Sequence, residues 1–254
     1  MDNSDIINDI LKHVGGEAKN NLNELLRSFD DSEDEIKTFG YSPYIDINNF
    51  DHNVLKGKFT ILSMNIQSVF AKYDSLLSTL ELLNNDDFQF SAICLQECWL
   101  DDGHNTNVLN IPSYQLVSKT QQCSGHGGLV IYLHEDFTYT ERESSSSDIW
   151  ECLTIDIHSE NFDNKITLSN VYRPPRFNNC NSTVDKFISE FRPFLKKLST
   201  EKSETIVTGD FNIDLLKITE RAKYQEYYDM FVTLGFYPKL ILPTRFSRKK
   251  CYFD

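Results

Sequence analysis

Four apolar runs of strand length each end in polar side chains, and a layered chain that does this four times has one natural place for a site, where the strand ends meet. The last run, Thr205-Ile206-Val207, leads into Thr208-Gly209-Asp210-Phe211-Asn212. In an extended backbone, residues two apart face the same way, so Asp210 and Asn212 are expected to project together while Phe211 turns to the core. An ionised Asp can take a proton from water or hold a cation, and an Asn NH2 can grip a phosphate oxygen. Alone, the motif fits equally a turn shaped by Gly209, with Asp210 and Asn212 bonded to turn backbone. The other runs agree on a site. Ile61–Ile66 sets Leu62, Met64 and Ile66 on one face and Asn65 on the other; Ala92–Leu95 is almost wholly apolar and ends in Gln96-Glu97; Leu168–Val171 ends in Tyr172-Arg173 before Pro174-Pro175. The second of these suits a strand covered on both faces.

Between the runs lie helical stripes: Leu76, Leu77, Leu80 and Leu83; Phe187, Ile188, Phe191, Leu195 and Leu198, with Pro193 expected to kink the helix; and Tyr224, Tyr228, Phe231 and Leu234, stopping before Gly235. Segments 128–133 and 153–157, joined through the loop at 144–147, read as antiparallel. Gly127-Gly128 more often marks a tight entry into a strand than a phosphate cradle. The aromatics Tyr224, Tyr227 and Tyr228 at helical spacing read as core rather than as a base-stacking platform. The expected class is α/β (α+β), a four-layer sandwich of two packed mixed β-sheets flanked by helices.

Six pieces recur in order: Asn65 with Gln67 and Ser68 after a strand; Leu95-Gln96-Glu97 followed by Trp99-Leu100; Gly127-Gly128 followed by Leu129–Tyr132; Val171-Tyr172-Arg173-Pro174-Pro175; Gly209-Asp210-Phe211-Asn212; and Leu242-Pro243-Thr244-Arg245. From about Gly57 onward this order resembles the endonuclease/exonuclease/phosphatase superfamily, and within it the endonuclease domain of LINE-type non-LTR retrotransposons. The resemblance implies an Mg2+-dependent endonuclease, with Mn2+ as a substitute, that nicks chromosomal DNA to expose a 3′ hydroxyl for target-primed reverse transcription. It assigns Glu97 and Asn65 to the metal, Tyr172 to the scissile phosphate, Asp210 to the attacking water and Asn212 to developing negative charge. Arg245 and Arg173 are the implied substrate contacts. DNA is the implied partner, beside the reverse transcriptase part of the same element. Relatives continue past Pro-Thr-Arg into an Ile-Asp strand and a Ser-Asp-His element, whose histidine is held by its aspartate and acts at the scissile phosphate, so the resemblance implies a catalytic histidine that this sequence lacks. No Ser-Asp-His tripeptide occurs here and the sequence stops at Asp254, so the last strands are expected to be missing. A catalytically dead truncated remnant with at most a binding function is the alternative, and a small-molecule phosphodiesterase or phosphatase a second one.

The net charge of −13 runs against a DNA-binding surface until its distribution is considered. Residues 1–57 hold 12 acidic and 5 basic side chains, leaving 26 and 20 for the rest. Half of the excess therefore lies in an acidic, partly helical leader, 1–57, ahead of the domain expected at 58–254. A basic cluster at Arg245, Arg248, Lys249 and Lys250 could form a lip against phosphates. The six cysteines show no paired framework, and Cys94, Cys98, Cys123 with His126 make a poor zinc set because Cys94 belongs to an apolar strand. Without a membrane-length apolar segment or a secretion signal, the expected location is intracellular, and nuclear if the protein acts on chromosomal DNA.

Overall fold

The computed structural model describes residues 55–83, 88–121, 127–143, 145–160, 162–175, 184–240, 245–246 and 251–252. The proposed leader up to residue 54, Cys123, His126, Pro243-Thr244 and the basic residues 248–250 lie outside them. The described residues fall into two compact units, one within 55–175 and 200–211, the other within 184–199 and 212–252.

Among the described residues the first unit carries eight strands and one α-helix: β1 (Ile61–Asn65), α1 (Val69–Leu83), β2 (Ala92–Gln96), β3 (Tyr114–Lys119), β4 (Leu129–His134), β5 (Thr138–Glu141), β6 (Glu151–His158), β7 (Ile166–Tyr172) and β8 (Glu204–Asp210). They make two mixed sheets, ordered β1-β2-β4-β3 and β5-β6-β7-β8. In the first, only β1 and β2 are parallel; in the second, only β7 and β8. The sheets face each other with β1 against β8 and β2 against β7. Two parallel pairs thus stack, and strands that run together end together, which gathers the chain after Asn65, Gln96, Tyr172 and Asp210.

Alternation along β2 explains why the run reads as continuously apolar. Ile93 and Leu95 join a core with Leu76, Leu80, Phe88, Val130 and Tyr132, beneath α1. Ala92 and Cys94 face the other way, into a core with Ile131, Leu133, Leu153, Ile155 and Leu168 between the sheets. Each fully buried Leu, Ile, Val or Phe among them contributes about 1.5–3 kcal/mol by leaving water. Cys94, Cys98 and Cys152 are buried free thiols, so Cys94 packs as a small hydrophobe. One polar clasp crosses the inter-sheet core. Fully buried Asn170 on β7 donates from Nδ2 to the carbonyls of Leu95 (3.0 Å) and Val130 (3.1 Å), and its Oδ1 accepts from Gln96 Nε2 at 2.6 Å. The sequence shows Asn170 as a polar residue within Leu168–Val171 but does not name its partners.

The second unit holds α2 (Val184–Ser199), α3 (Ala222–Thr233) and the short antiparallel pair β9 (Arg245–Phe246) and β10 (Cys251–Tyr252). The five predicted α2 residues are its buried face, and the helix includes Pro193. On α3 the buried residues are Tyr227 and Met230, so the stripe assigned to Tyr224 and Tyr228 is off by one position around the helix. The helix closes as its sequence suggests, with Gly235 at φ 80° donating to Val232 O at 3.0 Å.

The pairing of segments 128–133 and 153–157 needs correction. They are β4 and β6, in different sheets, and β6 pairs instead with β5 and β7. The misreading comes from β5, Thr-Tyr-Thr-Glu, a largely exposed edge strand with too little apolar content to stand out. Among the described residues no helix is long and apolar enough to cross a membrane.

Candidate active site

Asn65 closes β1, and its amide links two carboxylates: Nδ2 donates to Glu97 Oε1 at 2.8 Å and to Asp210 Oδ2 at 2.7 Å. Two acceptors on one nitrogen fix the orientation of the amide. Tyr172 OH donates to the same Glu97 oxygen at 2.9 Å. The four strand-end residues therefore form one hydrogen-bonded cluster, with Tyr172 opposite Asp210 in the β7–β8 register and Asn65 opposite Gln96 in β1–β2.

The turns that present these groups are unusual backbone. Among the described residues six other than glycine have positive φ, and Gln67 (51°), Ser68 (80°), Glu97 (52°), Trp99 (55°) and Asn212 (50°) all sit at or within three residues of the cluster in sequence. Such conformations cost energy and persist where surrounding bonds hold them. Here Ser68 N donates to Glu97 O at 2.8 Å and Val69 N to Cys98 O at 3.1 Å, lacing the turn after β1 to the turn after β2. Gly209, at φ 141°, lies against the next strand so closely that a Cβ would run into the Val171 carbonyl. Only glycine admits that approach one residue before Asp210.

Two expectations about individual residues change. The extended alternation meant to align Asp210 with Asn212 ends at Asp210, because β8 stops there and Asn212 takes a left-handed φ; Asn212 also belongs to the other compact unit. Arg173, expected at substrate, is 3% exposed; its backbone N donates to Asp210 O at 2.8 Å and its Nη1 to Phe211 O at 3.1 Å. It holds the chain beside Asp210. Arg245 lies on β9, opposite Tyr252, and its contact with substrate stays an expectation.

Asp210 is 5% exposed and Tyr172 2%, so the cluster is set into the sheets with Glu97 and Asn65 more open. Burial first, then the charge and hydrogen bond of Glu97, raises the Tyr172 pKa well above the ordinary tyrosine value. The phenol therefore stays a donor across the physiological range. Burial pushes the thiols of Cys94 and Cys98 up as well, and that of Cys152 to about 11. These groups keep their protons to higher pH folded than unfolded, so above the ordinary thiol value of 9.0 the unfolded chain releases protons first. The expected result is stability that is flat below about pH 8 and then falls by up to about 1.4 kcal/mol per pH unit for each such group. Urea midpoints measured from pH 7 to 10 check this, and a rise across that range contradicts it.

The donor set suits a hard cation. Glu97, Asp210 and the Asn65 amide offer oxygens only, and Asn65 Oδ1 is buried with no hydrogen-bond partner among the described residues. Two carboxylates bridged by a single neutral NH2 would gain more from a divalent ion. Among the described residues no group of three or more His, Cys, Asp and Glu is placed to hold a metal; Mg2+ is usually held by one or two carboxylates plus substrate phosphates. The described histidines supply no general base to this cluster from the strands. His134 and His158 stand at the far ends of β4 and β6, beside the strand ends that pair with Ala92 and Ile166, and His104 stacks on Phe70.

No curated protein matches the chain significantly. Among solved structures it is similar to the endonuclease domain of TRAS1, a telomere-specific non-LTR retrotransposon, with 15% identity, a TM-score of 0.51, and coverage of 76% of this chain and 81% of that one. It is similar also to a 3′-5′ exonuclease from Neisseria meningitidis, with 16% identity, a TM-score of 0.50, and coverage of 69% and 71%. These likenesses establish the fold. A sequence profile described as the endonuclease/exonuclease/phosphatase family matches residues 53–243, which spans both sheets and every residue of the cluster. The chain belongs to the endonuclease/exonuclease/phosphatase family.

Proposed function

We propose that the chain is an Mg2+-dependent, phosphodiester-cleaving DNA endonuclease domain of a non-LTR retrotransposon, nicking target DNA for reverse transcription. The observation that carries the chemistry is the cluster itself: two carboxylates, an amide and a phenol joined by hydrogen bonds of 2.7–2.9 Å at the ends of four strands. The retroelement assignment rests on Tyr172-Arg173-Pro174-Pro175 and Pro243-Thr244-Arg245.

In this reading Glu97 and Asn65 hold the cation, which when bound polarises the phosphoryl oxygen and screens its charge. Tyr172, kept protonated by its surroundings, donates a hydrogen bond to the phosphate. Asp210 orients the attacking water and takes its proton, with Asn65 Nδ2 holding one carboxylate oxygen and the Arg173 brace holding the backbone. Asn212 would donate to a phosphoryl oxygen as charge develops there.

The test is incubation of the chain with supercoiled plasmid in Mg2+ or in a chelator. The expected product is open-circular DNA, formed only with metal, whose nicks a polymerase extends without prior phosphatase treatment. Hydrolysis of a small phosphate ester with no nicking would favour the phosphatase alternative. Metal-dependent retention of DNA with neither reaction would favour a binding remnant.

A further inference from the structure

Glu151 is a carboxylate buried to 1% exposure at the first position of β6, outside the cluster and without an assigned role. Its Oε2 accepts from Gly128 N at 2.8 Å. Its carboxylate also packs so closely over Gly127 that a Cβ at that residue would overlap it, and a Cβ on Gly128, at φ 90°, would come 2.9 Å from Leu100 N. The carbonyls of this diglycine in turn support the catalytic turn: Gly128 O accepts from Cys98 N at 3.0 Å and Gly127 O from Trp99 N at 2.7 Å. Between Glu151 and the left-handed Glu97 there is thus an unbroken relay of carboxylate, two glycines and two turn amides. On the other side Glu151 pairs with Tyr172 in the β6–β7 register, and Tyr172 holds the Glu97 side chain.

We propose that Glu151 is a positioning residue for Glu97: it pins Gly127-Gly128, whose carbonyls hold residues 97–99 in the strained turn that aims the Glu97 carboxylate at the cation site. The proposal rests on the metal assignment above for its consequence, but the brace itself is a property of the turn. A buried charge at a strand start would otherwise be a liability. Its match to a close-packed diglycine gives that side chain a geometric task that an apolar residue could not perform.

Two conservative variants separate reach from charge. Glu151→Gln keeps an oxygen at the same distance from Gly128 N and drops the charge; Glu151→Asp keeps the charge and shortens the arm by one methylene. Three readouts are taken on the full chain: urea midpoint, hydrogen exchange at the Cys98 and Trp99 amides, and Mg2+ half-saturation followed by tryptophan fluorescence, with Mg2+ alone as the probe. At a temperature where both variants are folded, Glu151→Asp is expected to speed exchange at the two amides about tenfold and raise Mg2+ half-saturation about tenfold, the scale on which groups that orient ligands act. Glu151→Gln should stay within about twofold of the parent in both. Unchanged exchange in Glu151→Asp overturns the brace, as does equal impairment of the Gln variant, which would make charge rather than reach the active quantity. Faster exchange in a chain whose parent shows no Mg2+ response would leave the brace standing and remove the metal assignment instead.

Discussion

Asp210→Ala is expected to lower Mg2+-dependent plasmid nicking by about 10²-fold or more, and Glu97→Ala to do the same, while the urea midpoint of each stays close to that of the parent. The two losses have different origins. Asp210 is the buried carboxylate whose oxygen is held by Asn65, and Asp210→Asn, which keeps the shape but cannot accept a proton, should be nearly as impaired as the alanine variant. Glu97 is the acceptor shared by Asn65 and Tyr172. Its removal should be partly relieved by raising Mg2+, because the deficit is in holding the cation. Initial nicking rates over a range of Mg2+ concentrations distinguish the two, and unchanged rates in both variants would defeat the assignment of either residue.

Gly209→Ala should be the most damaging alanine substitution among the described glycines. The added carbon meets the Val171 carbonyl, a backbone group fixed by the β7–β8 pairing, and the φ of 141° is itself one that L side chains rarely adopt. A flexible side chain could turn aside; a strand carbonyl cannot. Overpacking of a fixed site costs about 1–3 kcal/mol and backbone strain adds about 1–3 more, so a loss of roughly 3 kcal/mol or more is expected, seen as a fall in the urea midpoint. Nicking by the folded fraction should fall as well, since Asp210 is the next residue. A variant with the parent's midpoint would show that β8 can move away from β7, and the register drawn between them could not then be what positions Asp210.

The strands that carry the site are legible because each is a strand-length run rich in apolar or β-branched residues that ends in a polar group. Ala92–Gln96 reads as covered on both faces and is: the two cores lie on its two sides. The convergence of Asn65, Glu97, Tyr172 and Asp210 follows from the same pattern once the strands share an edge. What escapes is of two kinds. The polar edge strand Thr138–Glu141 carries no hydrophobic signal, so β4 and β6 are wrongly joined across it. The supporting polar residues escape because their partners are distant in sequence: Asn170 reaches the carbonyls of Leu95 and Val130, and Glu151 reaches Gly128. A buried Glu after Trp150 and a glycine pair are each unremarkable alone. Arg173 shows the opposite error, in which a charged side chain in a site motif faces the protein and serves the chain beside Asp210. The period of a strand assigns a side chain to a face, but it does not say whether the neighbour on that face is solvent or backbone.

The central claim is that Glu97 and Asn65 form a cation site beside Asp210, and anomalous diffraction from crystals soaked in Mn2+ tests it most directly. The account predicts a single strong peak within about 2.5 Å of a Glu97 carboxylate oxygen, the distance of a direct metal–oxygen bond, with the Asn65 amide oxygen turned to it. A strong peak elsewhere on the protein, with none at Glu97, would contradict it.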